Sequence, residues 1–170
     1  MGATTRVSLE EYLNTGYEPD CDYVDGVLEE RNVGRKRHSR TQKRLLLWLA
    51  AREQQYGYEV LPEQRVKVAA GRVRVPDICL VAANDDDEVQ EQAPLLGIEV
   101  WSPEDRMKRV EARLKDFLGA GVPMVWLVDP YSKQAWTMTA RTPLTKVEDG
   151  VLRCERPALE IPLREIWPEE

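Results

Sequence analysis

The sequence predicts an α/β fold in which a mixed central sheet is flanked by helices on both faces. Two apolar, strand-like segments at 96–101 and 124–129 enclose a helix-like segment, so a right-handed crossover would let the two strands run parallel. Residues 65–75 alternate between apolar and charged side chains, which predicts a half-exposed hairpin. A chain of 170 residues suits one domain, 1–170.

A short helix, a hairpin and a longer helix are predicted ahead of the sheet. Ser8 stands three residues before an acid, which is the spacing of a capping box and predicts a helix start. The turn dipeptide Asp25-Gly26 lies between two strand-like runs and predicts a hairpin. The segment 39–57 is rich in helix formers, has apolar residues at helical spacing and stops at a glycine, so it predicts a helix.

The central strands and the next helix follow from changes in this pattern. Beyond the alternating hairpin the chain becomes continuously apolar from Ile78, so the second arm of the hairpin is predicted to continue into the sheet centre. Ser102, Pro103 and Asp105 supply a capping hydroxyl, a first-turn proline and a first-turn acid, which predict a helix start. The C-terminal part predicts edge strands, a hairpin and a short terminal helix.

Composition excludes several classes of site. The chain has one histidine and three widely spaced cysteines, so neither a multi-histidine metal centre nor a zinc–cysteine site is indicated. No apolar run approaches the roughly 20 residues of a membrane span, and the N-terminus lacks a secretory signal pattern. We therefore expect a cytoplasmic protein that makes no membrane contact. The net charge of −6 argues against indiscriminate nucleic-acid binding.

Charge is distributed unevenly along the chain. Residues 31–44 contain seven Arg and Lys residues and no acid, whereas 84–91 is an acidic loop. The basic segment is either a solvated loop with a helix start or a surface that contacts phosphates. The acidic loop suits a basic protein partner, so a protein-interaction module remains an alternative.

Two acids, Asp77 and Glu99, stand in otherwise apolar strands. If these strands pair with both acids on one face, the carboxylates lie close together and need a counter-charge. Their hard oxygen atoms favour Mg²⁺ or Mn²⁺. In the alternative interpretation Asp77 ends a turn after Pro76 and Glu99 pairs with an arginine. The acids alone do not separate these interpretations.

Four segments together resemble a known family. They are "DYVDGVLEERNV" (22–33), "VPDICLV" (75–81), "IEVWSPEDR" (98–106) and "GAGVPMVWLVDP" (119–130). In this order they resemble the Uma-two family of predicted endonucleases, within the PD-(D/E)XK nuclease superfamily, over about residues 8–167. The resemblance implies a restriction-endonuclease-like fold with core order αβββαβ, an N-terminal hairpin and C-terminal edge strands. It also implies a metal-dependent endonuclease that hydrolyses nucleic acid, with DNA the expected substrate.

The resemblance implies roles for particular residues. Asp77 and Glu99 are the expected ligands of Mg²⁺ or Mn²⁺, and the main-chain carbonyl of Val100 is a further one. Asp22 occupies the position where relatives usually carry a glutamate, so it is the fourth expected ligand with a shorter reach.

One position departs from the superfamily pattern. A lysine usually stands two residues after the glutamate, and this chain has Trp101 there. Arg113, on the following helix, is the expected catalytic replacement; it could hold phosphate but could not act as a general base. Alternatively, Trp101 and Asp22 mark a catalytically degenerate member that binds nucleic acid or a protein without cutting.

Basic residues near the expected site are candidates for backbone contacts with nucleic acid. Such contacts would make binding sensitive to salt and would carry little sequence choice. For His38 a capping or solvent-exposed role is the alternative. A homodimer is also expected, since double-strand cutters need two sites. The candidate contacts are Arg35, Lys36, Arg37, His38, Arg40, Lys67 and Arg74.

Overall fold

The computed structural model describes residues 6–32 and 34–168. Parts of the predicted domain, residues 1–5, 33 and 169–170, therefore lie outside the described residues. The helices are α1 (Leu9–Leu13), α2 (Lys36–Ala50), α3 (Glu53–Tyr56) and α4 (Met107–Gly119), with a 3₁₀ turn at Leu163–Glu165. The strands are β1 (Cys21–Val24), β2 (Val27–Glu30), β3 (Tyr58–Pro62), β4 (Val66–Ala69), β5 (Arg72–Arg74), β6 (Ile78–Ala82), β7 (Leu96–Val100), β8 (Val125–Asp129), β9 (Gln134–Met138), β10 (Thr145–Lys146), β11 (Val151–Cys154) and β12 (Leu159–Pro162).

The main sheet is mixed and has six strands in the order β10-β9-β8-β7-β6-β3. Strands β7 and β8 run parallel and are joined by α4, as the sequence predicts, whereas β6 and β3 extend the sheet antiparallel. The strands β11 and β12 form the predicted C-terminal hairpin. None of the described helices is long and apolar enough to cross a membrane.

Helices cover both faces of this sheet. On one face, Leu45 and Leu49 of α2 pack with Ile98 and its neighbours. On the other, Leu114 and Phe117 of α4 pack in a second apolar cluster. Every residue of β7 is buried, because side chains pointing to either face meet a helix-covered core. Any polar side chain on this strand is therefore removed from water.

A second, four-stranded sheet has the order β2-β1-β5-β4. The predicted hairpin at Asp25-Gly26 joins β1 and β2, and both of its turn residues have positive φ. The prediction that the alternating hairpin continues into the main sheet is wrong, because β5 belongs to this smaller sheet. The change of sheet falls beside Pro76, which has no N–H to extend a ladder. Asp77 consequently lies where the two sheets meet.

The helix starts were predicted with mixed success. Ser8 caps α1, since its hydroxyl accepts the Glu11 N–H at 3.1 Å, as predicted. The predicted start at Ser102 is wrong, because α4 begins only at Met107. The chain instead makes a turn at residues 103–104, in which the Asp105 N–H donates to the Ser102 carbonyl at 2.9 Å and the Asp105 carboxylate accepts the Ser102 N–H at 2.7 Å. Residues 102–106 therefore form a loop beside the site.

The long predicted helix is shifted and interrupted. It begins at Lys36, three residues earlier than expected, and is followed by the short α3. The predicted stop is confirmed, because Gly57 ends α3 in the left-handed conformation with φ of 70°. The early start brings His38 into the first turn of α2.

Candidate active site

The acids Asp77 and Glu99 lie together at the end of two paired strands. The antiparallel register of β6 and β7 pairs Ile78 with Ile98, so the next step along it sets Asp77 beside Glu99. Their side chains are only 7% and 5% exposed. The structure thus brings together the two acids that the sequence singled out, in a place that water hardly reaches.

Both carboxylate oxygens of Asp77 have partners. Oδ1 accepts a hydrogen bond from Arg31 Nη2 at 2.7 Å. Oδ2 accepts the Val100 N–H at 2.7 Å and lies 3.3 Å from His38 Nε2. Burial raises the pKa of Asp77, but the bond to His38 and the charge of Arg31 outweigh it, so the pKa is lowered overall. Asp77 is therefore held as an ionised carboxylate.

His38 responds in the opposite sense. Burial lowers the pKa of this imidazole, but its hydrogen bond to Asp77 and the charge of that carboxylate raise it by more. The ring lies inside the first turn of α2, next to Asp77, rather than at the surface. His38 is positioned to orient the Asp77 carboxylate. It does not lie on the exposed face of α2, where a residue that contacts the nucleic-acid backbone would be expected.

Glu99 is less well satisfied than Asp77. Its Oε1 lies 2.9 Å from Arg113 Nη2, but this buried oxygen makes no hydrogen bond of acceptable geometry. Burial raises the pKa of Glu99 to about 8; Arg113 opposes this shift and the negative charge of Asp77 adds to it. Burial therefore favours the protonated form of Glu99 over its ionised form when no cation lies beside it, which lets two acids lie adjacent in a place that water hardly reaches.

Arg113, the predicted substitute for lysine, reaches the site from α4. Its Nη2 contacts Glu99 and donates to the Val75 carbonyl at 2.9 Å, while its Nε lies 3.2 Å from Asp22 Oδ2. Burial lowers the pKa of Arg113, but the surrounding carboxylates raise it by more. The structure thus joins Arg113 to the acid pair, as the sequence predicts.

Asp22 lies at the edge of this cluster and has no unused oxygen. Its Oδ1 accepts the Val75 N–H at 2.8 Å, and its Oδ2 pairs with Arg74 Nη1 at 3.0 Å and with Arg113. Within residues 6–32 and 34–168, no group of three or more His, Cys, Asp or Glu side chains could hold a metal ion. Asp22 anchors two arginines, and its role as a metal ligand stays a prediction of the sequence.

Arg74 does not lie on a nucleic-acid surface. Its side chain is 4% exposed and pairs with Asp22, Glu29 and Asp116 at 2.7 to 3.0 Å. The prediction that Arg74 contacts the nucleic-acid backbone is wrong, because α4 covers this face of β5. The alternation in the sequence shows that β5 has two faces, but it does not show that a helix covers one of them. The residue ties the smaller sheet to α4.

A small cavity of about 20 Å³ lies inside the carboxylate pair, enough for roughly one water molecule. Two surface clefts border it, one towards α4 and one towards α2 and residues 17–20. Arg31 lines the cavity and both clefts. Sequence reasoning missed this residue; its place at the head of the basic segment was the available signal.

Comparison with known proteins agrees with this fold. A family model, Uma2, described as "Putative restriction endonuclease", matches residues 9–159. The chain belongs to the Uma2 family. Its fold is therefore restriction-endonuclease-like, which confirms the fold class predicted from the sequence. No curated protein matches the chain.

Two solved structures resemble the chain at low sequence identity. One is the crystal structure of a "putative nuclease belonging to DUF820" from Anabaena variabilis ATCC 29413, at 18% identity and a TM-score of 0.83. That alignment covers 95% of this chain and 97% of the other. A cryo-electron-microscopy structure of a DrdV–DNA complex aligns at 18% identity with a TM-score of 0.43, covering 64% of this chain and 12% of that one.

Trp101 stands where the superfamily pattern has a lysine. Its side chain packs against the apolar cluster under α4, so the position two residues after Glu99 carries no cation. Among the described residues, the basic groups that contact the acid pair are Arg31, Arg113 and His38. They come from the end of β2, from α4 and from α2 rather than from β7.

The carboxylate oxygens at this site are of the kind that bind a hard divalent cation. Asp77 and Glu99 supply two adjacent carboxylates, and Glu99 Oε1 is a buried acceptor without a hydrogen bond. Magnesium sites commonly use one or two carboxylates and fill the remaining positions with waters. The obstacle is Arg31, which occupies Asp77 Oδ1.

The remaining basic candidates lie at or near the surface. Arg35 contacts Glu104, and the Arg37 guanidinium lies 5.9 Å from the Tyr131 ring centre. Lys67 is half-exposed and lies 3.3 Å from Glu91. Four exposed basic residues cluster at the start of α2, within one turn of His38 and hence of the site: Arg35, Lys36, Arg37 and Arg40.

Proposed function

We propose that this Uma2-family protein is a metal-dependent endonuclease that hydrolyses phosphodiester bonds of nucleic acid, with DNA the expected substrate. The observation that carries the proposal is the buried pair Asp77 and Glu99, adjacent on neighbouring strands and contacted by Arg113. Family membership supports nuclease chemistry in general.

Asp77 and Glu99 would hold Mg²⁺ or Mn²⁺, with the Val100 carbonyl a predicted further ligand. Such an ion supplies an acidified water and neutralises charge that develops on a phosphate. The Val100 N–H fixes the orientation of Asp77. Arg113 contacts Glu99 and stays charged at all relevant pH values, so it can stabilise charge on phosphate but cannot accept a proton from water.

The exposed start of α2 is the proposed nucleic-acid surface. Arg35, Lys36, Arg37 and Arg40 project from a helix N-terminus, where the helix dipole also favours anions. His38 lies in the same turn and touches Asp77, so a backbone held by these residues passes beside the acid pair. Binding through them would be sensitive to salt and nearly independent of sequence.

A second candidate function, binding without cleavage, is favoured by two observations. Trp101 places an apolar side chain where the superfamily keeps its lysine. Arg31 already neutralises Asp77. A catalytically degenerate member would keep the fold and the basic surface but cleave nothing.

Plasmid nicking separates the two candidates. Nicking that requires Mg²⁺ or Mn²⁺ and is lost in Asp77→Ala supports the endonuclease. Salt-sensitive DNA binding without nicking supports the degenerate module, and absence of any affinity at low salt contradicts both. Asp129→Ala is a matched control, because this acid ends β8 and accepts hydrogen bonds from Tyr131 and Ser132 in its own turn.

Two further features stay predictions of the sequence. A homodimer would bring two sites to one duplex, and molar mass in solution tests it directly. The cytoplasmic location follows from the sequence pattern alone and is tested by fractionating the cells that make the protein.

A further inference from the structure

Arg31 separates the acid pair from solvent. Its side chain is 11% exposed, and it borders the inner cavity as well as both surface clefts. The Nη2 atom reaches Asp77 Oδ1 at 2.7 Å. A divalent ion would need this same oxygen atom as a ligand. The Arg31 guanidinium therefore occupies the place of the ion and supplies the positive charge there.

The segment that carries Arg31 is fastened to the loop before α4. We call these contacts, between residues 30–35 and 102–109, the clasp. All of them lie at exposed or partly exposed side chains, where such pairs contribute little to stability. They are Asn32 Nδ2 to Asp105 Oδ1 at 2.7 Å, Arg109 Nη2 to the Glu30 carbonyl at 3.3 Å, and the Arg35–Glu104 pair.

While Arg31 is bound to Asp77, buried polar atoms on both Arg31 and Glu99 lack hydrogen-bond partners. Arg31 Nε is buried without a hydrogen-bond partner, and so is Glu99 Oε1. Buried groups without partners are rare and often mark the place of an ion or water. Replacing the guanidinium by a divalent cation would give Glu99 a ligand partner and would return Arg31 to the solvated clefts.

The charge on Asp77 prevents Arg31 from leaving unreplaced. Asp77 is 7% exposed, and its other contacts are the Val100 N–H and His38. Removing one member of a buried ion pair leaves an uncompensated charge, which is strongly unfavourable. Departure of Arg31 and arrival of another cation are therefore coupled.

We propose that Arg31 is a built-in counter-ion that closes the acid pair, and that a divalent cation binds Asp77 and Glu99 only when Arg31 moves into a cleft and the clasp opens. The inference rests on the proposed function, because it describes how the same site is regulated. It makes resting metal affinity weak and makes Arg31 and Asn32 the moving residues.

Calorimetric titration of the metal-free protein with Mn²⁺ tests the proposal. Arg31→Gln is expected to bind Mn²⁺ at least about tenfold more tightly than the unaltered chain, since no guanidinium has to be displaced. Arg106→Gln is the matched control: it removes the same charge from the same cleft but does not touch Asp77. Its affinity is expected to stay within about threefold. Asp77→Ala combined with Arg31→Gln is expected to lose binding.

Equal gains in Arg31→Gln and Arg106→Gln would overturn the inference, because they would show a general charge effect. Absence of Mn²⁺ binding in every variant would overturn it as well. If Arg31→Gln does not fold, a triple variant with Asn32→Ala, Glu104→Gln and Arg109→Gln removes all three clasp contacts while leaving Asp77 paired. Unchanged affinity in that variant refutes the coupling.

Nicking assays distinguish failure of this inference from failure of the proposed function. Tighter Mn²⁺ binding by Arg31→Gln without nicking by any variant supports the counter-ion and contradicts the nuclease. Metal-dependent nicking with equal Mn²⁺ affinities supports the nuclease and contradicts the counter-ion.

Discussion

Glu99→Gln is expected to stabilise the folded protein at alkaline pH and to have little effect in acid. Burial lifts the pKa of Glu99 from 4.5 to about 8. Protonation therefore favours the folded state; this contribution is complete below about pH 4.5 and is lost as pH rises through 8. Glutamine occupies nearly the same volume and does not ionise, so the variant escapes this loss.

The size of the effect follows from the two pKa values. Between pH 5 and pH 8 the ionisation of Glu99 should remove about 3 kcal/mol of stability, since each pKa unit corresponds to about 1.4 kcal/mol. Arg113 keeps Asp22 and the Val75 carbonyl as partners when Glu99 is replaced, so the variant creates no unpaired arginine.

Urea unfolding at pH 5 and pH 8, with a chelator and constant ionic strength, measures the effect. The informative quantity is the change in the variant-minus-wild-type free energy of unfolding between the two pH values. The titrations of His38 and Asp77 largely cancel in that difference. A change below about 1 kcal/mol, or one of opposite sign, would refute the account of Glu99 as a buried protonated acid.

Three further outcomes are expected. Asp22→Ala should destabilise the protein by about 1 to 3 kcal/mol in urea unfolding, because it leaves the buried Val75 N–H without an acceptor and removes one of the three carboxylates that pair with Arg74; an effect below about 0.5 kcal/mol would contradict the anchoring role. Arg40→Gln should weaken DNA binding and reduce its salt dependence without changing the melting temperature; an unchanged affinity would exclude the start of α2 as the binding surface. Gly57→Ala should cost about 1 kcal/mol in thermal unfolding, because its φ of 70° disfavours any side chain with a Cβ; no loss would show that α3 rearranges.

Local patterns predicted most of the elements. The Asp25-Gly26 turn, the Ser8 cap and the stop at Gly57 each depend on the conformation of one or two residues, and all three are as expected. The failed helix start at Ser102 shows the limit of such reasoning. The Asp105 carboxylate accepts the Ser102 N–H, as in a capping box, yet the chain makes only a turn there and α4 begins at Met107.

The sequence by itself determined that Asp77 and Glu99 are buried acids that can adjoin. Each stands in an apolar strand, and the two-residue period of a strand limits where each side chain can point. Family resemblance added the fold and the prediction of a role for Arg113. None of this needed contacts between distant parts of the chain.

Only the tertiary structure decided which cations neutralise the acids. Arg31 lies 46 positions from Asp77 and reaches it because the smaller sheet and the main sheet meet there. The same packing buries Arg74 against Asp22 and Asp116, so a residue expected to contact nucleic acid became part of the interior. Charge pairing of this kind depends on how separate elements approach one another, and the periodicity of a single element does not contain that information.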